Sequence, residues 1–525
     1  MKLGFRNGMN YNNLDILFIH PPANINDASH TLDADVGYTN QFVAIPMGFF
    51  SMANRLDKAG YATKILNLGE RVYIDKKTPI QEHIENILSI HAPRIVGMDV
   101  HWMIHAAGAM ECARLIKKLS KDTHIVLGGI SASFFAKEIL QNYPQIDYVM
   151  VGECDEAIVD FLQEKMGTHP KLENVPNLVY RDGESIVFND VKPPDISHDM
   201  DLTRYDLLID APVINPDRAN ISFFRGCYRN CCFCAGSREA YTRIMKRNGL
   251  GVINPEVLVD IMRKNLEKDR RNIYIYGDIR YCGSGYAQRF FEALYQSGMT
   301  NAHIVFELFE LATEDYIQQW SQWARDTGNS LEVTHSPESG NIDIRRQFGK
   351  GYSNKQLLEH CQLLIDYNIP QSIYFLLGLP NQTRDTIEDT LEISNEIIRV
   401  FAEKFQISDL RHEIVSFNFM QIPDAGSTIF QNSKKFGYNF EFKNIKSLVE
   451  KLQNSQYWWQ SVGYHTDTMS KNELIRSFYH IQISLLRMYH AYNFISDQQL
   501  EQRLDKYMED KKIYERALHD GYSIR

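Results

Sequence analysis

Phe223-Phe224-Arg225-Gly226-Cys227-Tyr228-Arg229-Asn230-Cys231-Cys232-Phe233-Cys234-Ala235-Gly236-Ser237 follows directly on an apolar, strand-like run that begins at Ile221. Its cysteines Cys227, Cys231 and Cys234 form a C-x3-C-x2-C pattern. Three thiolates on one short loop can hold three irons of a [4Fe–4S] cluster and leave the fourth iron open for a small molecule. Cluster-binding cysteines otherwise come in fours, so a set of three is informative. Structural zinc needs four N or S ligands in paired spacing. Cys282, Cys361 and the distant histidines supply no such second pair. A disulfide framework does not suit a chain of this size with no secretory signal. The metal ligands read from the loop are therefore Cys227, Cys231 and Cys234, with Cys232 a bystander thiol packed beside them.

A chain of 525 residues is too long for one core and divides into about three domains. Apolar residues at 44% and charged residues at 23% are ordinary for a globular protein. A net charge of −10, with no dense Lys/Arg block, disfavours binding of nucleic acid through a basic surface. No apolar run reaches membrane-spanning length. Met1-Lys2-Leu3-Gly4-Phe5-Arg6-Asn7 has no apolar signal core. Eight cysteines without a regular framework suit a reducing cytoplasm, which an oxygen-sensitive cluster also requires.

The cysteine triad resembles the signature of the radical S-adenosylmethionine (radical SAM) superfamily, and Phe233 before the third cysteine fits that pattern. The resemblance implies that the open iron chelates the amino and carboxylate groups of S-adenosylmethionine.

Ahead of the triad, residues 15 to 162 read as alternating strands and helices. Expected strands are Asp15–His20, Ala62–Leu68, Arg94–Asp99, His124–Gly129 and Asp147–Glu153; expected helices include Met47–Ala59 closed by Gly60, Ile80–His91 and Ala106–Leu119. A long loop follows Pro21-Pro22. Short buried strands alternating with helices give a parallel, doubly wound sheet, whose ligands lie beyond the carboxyl ends of the strands. Those ends hold His20, Pro21 and Pro22, then Asp99, His101 and Trp102, then Gly128 and Gly129, then Gly152 and Glu153. No Gly-x-Gly-x-x-Gly follows the first strand, which disfavours a dinucleotide.

This order resembles the cobalamin-binding domain found before many radical SAM domains. In that family a glycine pair, here Gly128 and Gly129, lets the nucleotide tail of the cofactor approach the backbone. The Asp-x-His-x-x-Gly signature that supplies an axial histidine elsewhere is absent after Asp99-Val100-His101, so cobalamin without a conventional histidine ligand is expected. His101 reads either as a hydrogen-bonded loop residue or as a cobalt contact. A Rossmann-like scaffold without cofactor is the alternative for the whole domain.

Residues 163 to 215 are punctuated by prolines and read as a connector containing a hairpin, Leu178 to Phe188, turned by Asp182-Gly183. Six further strands are then expected: Ile221–Phe224, Asn272–Tyr276, Ala302–Leu308, Leu331–His335, Ser372–Leu377 and Glu413–Met420. They resemble the partial (β/α)6 barrel of radical SAM enzymes. By that resemblance Gly277 and Asp278 stand where a Gly-Gly-Glu receives the amino group of S-adenosylmethionine, Asp278 being otherwise a solvated turn residue. Glu338 and Ser339 correspond to the fourth-strand segment near ribose and methionine, and Gly378 and Pro380 to the turn near adenine. Pro423 to Thr428 matches the turn after the sixth strand. A carboxylate such as Glu338 at a strand end inside a barrel needs a partner, which a cofactor ammonium or hydroxyl would supply.

Beyond residue 430 the alternation gives way to amphipathic helices at Lys446–Gln453, Lys471–His490 and Asp497–Ala517. Between the first two lies Tyr457-Trp458-Trp459, read as core packing or as a lid.

The expected fold is α/β: a Rossmann-like cobalamin-binding domain (1–165), a linker (166–215), a partial radical SAM barrel (216–430) and a helical C-terminal domain (431–525). The resemblance implies a cobalamin-dependent methyltransferase using a [4Fe–4S] cluster, S-adenosylmethionine and cobalamin. A 5′-deoxyadenosyl radical would abstract hydrogen from an unactivated carbon or a phosphinate of a small secondary-metabolite precursor, and methylcobalamin would deliver the methyl group. An external donor of flavodoxin or ferredoxin type would supply electrons; neither nucleic acid nor membrane is an expected partner. A non-methylating rearrangement or cyclisation, and a non-catalytic cobalamin or iron–sulfur sensor, remain alternatives.

Overall fold

The structure is a computed structural model that describes residues 13–23, 44–198, 200–283, 285–406 and 413–520. Met1 to Asn7 and most of the loop after Pro22 lie outside the described residues. The described chain forms two compact units: 13–23, 44–194 and 204–214 make one, and 195–198, 200–203 and the residues from 215 onward make the other.

In the first unit a seven-stranded sheet runs in the order β2-β1-β3-β4-β5-β6-β7. Its strands are β1 (Ile16–His20), β2 (Thr63–Asn67), β3 (Ile95–Asp99), β4 (His124–Gly128), β5 (Tyr148–Met150), β6 (Leu178–Asp182) and β7 (Ser185–Phe188). The first five are parallel. Their residues are apolar and buried on both faces because helices cover both sides. The helix Ala106–Leu119 packs through Ala106, Met110, Ala113 and Ile116, a spacing that keeps one face apolar. The chain leaves β1 toward β2 on one side and then takes β3 on the other, so the topological switch point lies between β1 and β3.

The hairpin expected in a connector is part of this sheet. Strand β6 pairs antiparallel with β5, and Arg181 donates to the carbonyls of Leu140, Tyr143 and Ile146. The segment from Arg204 also returns to this unit, with its guanidinium on Asn54 and Asp57. The connector reading failed because proline frequency reports irregular backbone and says nothing of what that backbone packs on.

The second unit is a six-stranded parallel sheet in sequence order: β8 (Arg218–Ser222), β11 (Asn272–Tyr276), β12 (His303–Leu308), β13 (Ser330–Glu338), β14 (Gln371–Leu377) and β15 (Val415–Phe419). Each strand pairs with its predecessor, so the sheet winds one way as a (β/α)6 barrel fragment with no switch point. The expected run Ile221–Phe224 divides: β8 ends at Ser222, and β9 (Phe224–Arg225) pairs antiparallel with β10 (Gly251–Val252). That ribbon clamps the base of the cysteine loop.

The C-terminal helices Ile445–Gln453, Lys471–Ala491 and Asp497–His519 form the expected helical region. They carry a small antiparallel pair, β16 (Tyr438–Phe440) and β17 (Tyr464–Thr466). They also share one core with the barrel, in which Phe375, Phe417 and Phe419 meet Trp458, Phe478 and Tyr507. Trp458 and Trp459 are 5% and 1% exposed, which makes them core residues and not a lid. The Tyr489 hydroxyl accepts from Val415 N–H at 2.7 Å and donates to Val415 C=O at 2.9 Å, satisfying backbone of the edge strand β15. Among the described residues no helix is long and apolar enough to cross a membrane.

Candidate functional site

The cysteine loop opens between β9 and β10 at the carboxyl end of β8. Successive turns fold it: Cys234 N–H donates to Cys231 C=O and Ser237 N–H to Cys234 C=O, both at 3.2 Å. Arg229 N–H donates to the Cys227 sulfur at 3.3 Å. Burial pushes the Cys227 and Cys234 thiols up and Cys231 up to about 11. Each of these thiols must release its proton to bind iron. Among the described residues no three His, Cys, Asp or Glu side chains converge on one point. A cubane asks for no such convergence, because each thiolate takes its own iron. The three sulfurs lie within electrostatic reach of one another, which fits a cluster. Cys232 packs on the barrel core instead, beside Phe233, whose ring lies 5.2 Å from that of Phe348.

The barrel strand ends gather around this loop. Gly277 has φ +104 and a side chain there would strike the Phe224 ring, so only glycine fits. Asp278 is buried, so it is not a solvated turn residue. Arg280 takes both its oxygens, and Phe309 N–H donates to one at 2.9 Å. The reading of Asp278 as acceptor of a cofactor ammonium did not include this Arg280 partner, two residues away. Glu307 on β12 instead accepts from Gly277 N–H at 2.7 Å, and burial pushes its carboxyl up to about 7. It was missed, although a lone acid inside the apolar run His303–Leu308 signals a carboxylate with a task.

At the end of β13 the register slips between His335 and Glu338, and Glu338 takes φ +70. Its buried carboxylate pairs with buried Lys350, which also donates to Ser336 C=O. The partner Glu338 needs is thus supplied by the chain itself, twelve positions on. Ser339 spends its hydroxyl on Asn341 N–H at 3.1 Å and on Thr390, bracing the turn. Gly378 has φ +98 and donates its N–H to Gln382 at 2.7 Å, and Pro380 is buried in the same turn. Asp424, in the turn after β15, accepts from Ala235 N–H and so ties that turn to the cysteine loop.

In the first unit the strand ends form a different kind of site. The register of β1 on β3 brings His20 beside Asp99, and His20 Nδ1 lies 2.8 Å from Asp99 Oδ1. The His105 ring meets His20 at 4.8 Å and stacks on Trp102 at 6.0 Å, and the Trp102 ring lies 5.4 Å from that of His101. Burial pushes the Asp99 carboxyl up; His20, His105 and His101 outweigh it and hold it below the usual range. Asp99 Oδ2 is buried without a hydrogen-bond partner among the described residues, an orphaned acceptor at the switch point. Sequence reasoning singled out His101. The structure keeps that residue half-buried, with its carbonyl bound by the Ser131 hydroxyl at 2.9 Å, and places His20 and His105 at the centre of the cluster.

The glycine pair divides its work. A side chain on Gly129 would come within 2.9 Å of Val100 and His101 backbone, so that glycine serves the close approach of the chain to itself. A side chain on Gly128 would meet only Met150 C=O, at 3.9 Å, leaving open space beside the backbone. Gly152 N–H is held by Ser133 at 3.0 Å, and Glu153 is buried with its carbonyl on Asn177. Pro21 and Pro22 are buried under the switch point.

These features define a two-module α/β protein: a doubly wound unit with a polar switch point, then a barrel fragment whose mouth carries a cysteine triad. Residues 221–393 match the radical SAM superfamily, and residues 35–162 match the B12 binding domain. The chain carries a B12-binding domain ahead of a radical SAM domain. The two modules imply a [4Fe–4S] cluster, S-adenosylmethionine and cobalamin.

The hopanoid C-3 methylase of Methylococcus capsulatus is 24% identical over 50% of this chain and 48% of its own length. The anaerobic magnesium-protoporphyrin IX monomethyl ester cyclase of Cereibacter sphaeroides is 24% identical over 65% of this chain and 55% of its own. The chain thus spans about half the length of these relatives. The solved structure of TsrM from Kitasatospora setae, a radical S-adenosylmethionine methyltransferase with cobalamin and a [4Fe–4S] cluster bound, superposes with a TM-score of 0.61 at 10% identity. It covers 95% of this chain and 99% of that one, a likeness of fold.

Proposed function

We propose that the protein is a cobalamin-dependent radical SAM methyltransferase acting on an unactivated carbon, or a phosphinate phosphorus, of a small-molecule precursor. The observation that carries this reading is the pairing, in one chain, of the Cys227, Cys231, Cys234 turn at a barrel mouth with a B12-binding unit that keeps an orphaned acceptor at its switch point. When bound, the cluster with S-adenosylmethionine supplies a hydrogen-abstracting radical, and cobalamin supplies the methyl group.

The residues then have separate tasks. Cys227, Cys231 and Cys234 hold the cluster, and Cys232 and Phe233 anchor their loop to the barrel core. Glu338, Lys350 and Glu307 offer charges of both signs beside Cys231 and Cys227, suited to a zwitterionic amino-acid group. The Gly378–Pro380 turn offers a tight backbone surface for a flat ring. In the first unit Asp99 orients His20, and Gly128 leaves backbone open for a cofactor tail. Electrons come from an external flavodoxin- or ferredoxin-type donor.

The test is anaerobic reconstitution with iron, sulfide and cobalamin, followed by mass spectrometry of candidate precursors. Formation of 5′-deoxyadenosine together with a gain of one CH2 unit supports the reading; 5′-deoxyadenosine with an unmethylated product overturns it. The cyclase relatives favour ring formation as the second reading, and the same product mass separates the two.

A further inference from the structure

The barrel strands have two faces of opposite character. On β14 and β15, Phe375, Phe417 and Phe419 pack with Leu391, Ile397 and Phe401 of the helix Arg384–Ala402, so those positions face the helical layer. On β12, Phe306 stacks on Trp320 of the helix Glu314–Thr327 at 4.3 Å. The alternate residues point to the concave face, and there the strands are half-buried where their neighbours are fully buried. Arg218 and Asn220 on β8, Tyr276 on β11, Tyr374 on β14 and Asn418 on β15 stand on that face. Leu376 is the one purely aliphatic side chain among the half-buried positions of the six strands, counting the described residues.

Arg218 is the cation of this face. Its Nε donates to Asn220 Oδ1 at 2.8 Å and its Nη2 to the Tyr276 hydroxyl at 3.2 Å. Its guanidinium lies 4.6 Å from the Tyr274 ring centroid. All three partners are neutral, and among the described residues no carboxylate pairs with it. Two acids that share the surroundings of Tyr374 with Arg218 are engaged elsewhere. Glu332 accepts from Ser372 at 2.8 Å and faces His303, and Glu413 accepts from Arg503 at 2.8 Å. A half-buried guanidinium keeps only part of its hydration and is stabilised by an anion. Here neutral groups fix its plane and leave the charge unanswered, which is the arrangement that receives an oxyanion with two parallel hydrogen bonds.

We propose that Arg218 is the anion-recognition residue of the substrate site, and that the substrate is a polar small molecule bearing a carboxylate or a phosphorus oxyanion. The inference rests on the reading of the barrel as the substrate-binding module, and it excludes a purely hydrocarbon substrate. The Asn220, Tyr276 and Tyr374 side chains then bind the polar body of the same molecule.

The test uses the reconstituted full chain and three matched probes, phenylacetate, phenylphosphinate and phenylacetamide, with binding read by saturation-transfer nuclear magnetic resonance. Iron content and S-adenosylmethionine affinity serve as controls of fold. Both acids should bind and the amide should not, and the tighter acid tells carboxylate from phosphorus oxyanion. Arg218→Gln should weaken acid binding by about tenfold or more, and Arg218→Lys, which keeps the charge without the planar fork, should restore part of it. Acid binding unchanged in Arg218→Gln overturns the proposal, as does amide binding equal to that of the acids. If Arg218→Gln loses iron, Arg218→Lys against the wild type still decides: equal preference for acid and amide in both sinks the idea. Probe binding needs no turnover, so a failure of the methyltransferase reading shows separately, as absent 5′-deoxyadenosine.

Discussion

The two α/β units present their strand ends in different ways. In the first unit, order 2-1-3-4-5 makes the chain reverse direction between β1 and β3, and the buried polar groups concentrate there: His20, Asp99 and, from the following loop, His105. In the barrel each strand sits beside its predecessor, so there is no reversal. The polar groups at its strand ends come from several strands: Glu307 from β12, Glu338 from β13, the turn at Gly378 from β14 and Asp424 after β15. Connectivity thus sets how many elements contribute to a site. A reversed sheet builds from two strands, and a wound one from nearly all.

The largest expected effect separates the two units outright. Changing Cys227, Cys231 and Cys234 together to Ala should abolish iron and visible cluster absorbance after reconstitution while cobalamin still binds. Cys232→Ala should keep both. Iron retained at full stoichiometry in the triple variant would remove the triad from the ligand set.

Damage at the switch point should do the reverse. Asp99→Ala leaves the imidazole cluster without its carboxylate and should destabilise the first unit by about 3–5 kcal/mol, the cost of breaking a buried pair. The measurement is denaturant unfolding followed beside iron content and cobalamin retention. Lost iron with intact cobalamin binding would show that the units do not divide the cofactors in this way.

One group makes an acid titration informative about the barrel. His360 Nε2 accepts from Ala312 N–H at 3.1 Å, and burial holds its imidazole down to about 4, below its ordinary 6.5. The unfolded chain therefore binds this proton first. The contribution is fully present above pH 6.5 and is lost as pH falls toward 4, by about 3 kcal/mol at pH 4. His360→Gln, which can still accept from Ala312, should flatten that limb of the stability profile. A profile as steep as that of the wild type would place the titration in another group.

The smallest effect sharpens the role of Glu338. Glu338→Gln keeps shape and removes charge, leaving Lys350 its Ser336 carbonyl. S-adenosylmethionine affinity should fall about tenfold, within the range of one charge-assisted hydrogen bond, with iron content unchanged. Unchanged affinity would mean that Glu338 serves Lys350 alone.

Local pattern was a good guide where one face of an element is apolar. The helices Ile80–His91 and Ala106–Leu119 and the strand Asn272–Tyr276 fall where their periodicity puts them. The helix Glu314–Thr327 was passed over because its first turn is acidic and its body carries many glutamines, although Tyr316, Ile317, Trp320, Trp323 and Ala324 share one face and Gly328 closes it. The C-terminal helices were legible as helices, but their attachment to β14 and β15 was not. An amphipathic stripe specifies that something covers it and leaves the partner open.

By itself the amino-acid sequence determined the cysteine triad, the order of strands and helices in both units and the turns that end the barrel strands. These follow from short-range chemistry: spacing on one loop, period-two and period-3.6 patterning, and glycines where φ is positive. Tertiary structure decided which charges meet. Asp99 finds His20 from 79 residues away, Arg280 takes Asp278, Lys350 takes Glu338, and Arg218 is left among neutral groups. A buried charge takes its character from whatever the fold sets within a few ångströms of it, and that neighbourhood exists only after the strands have come together.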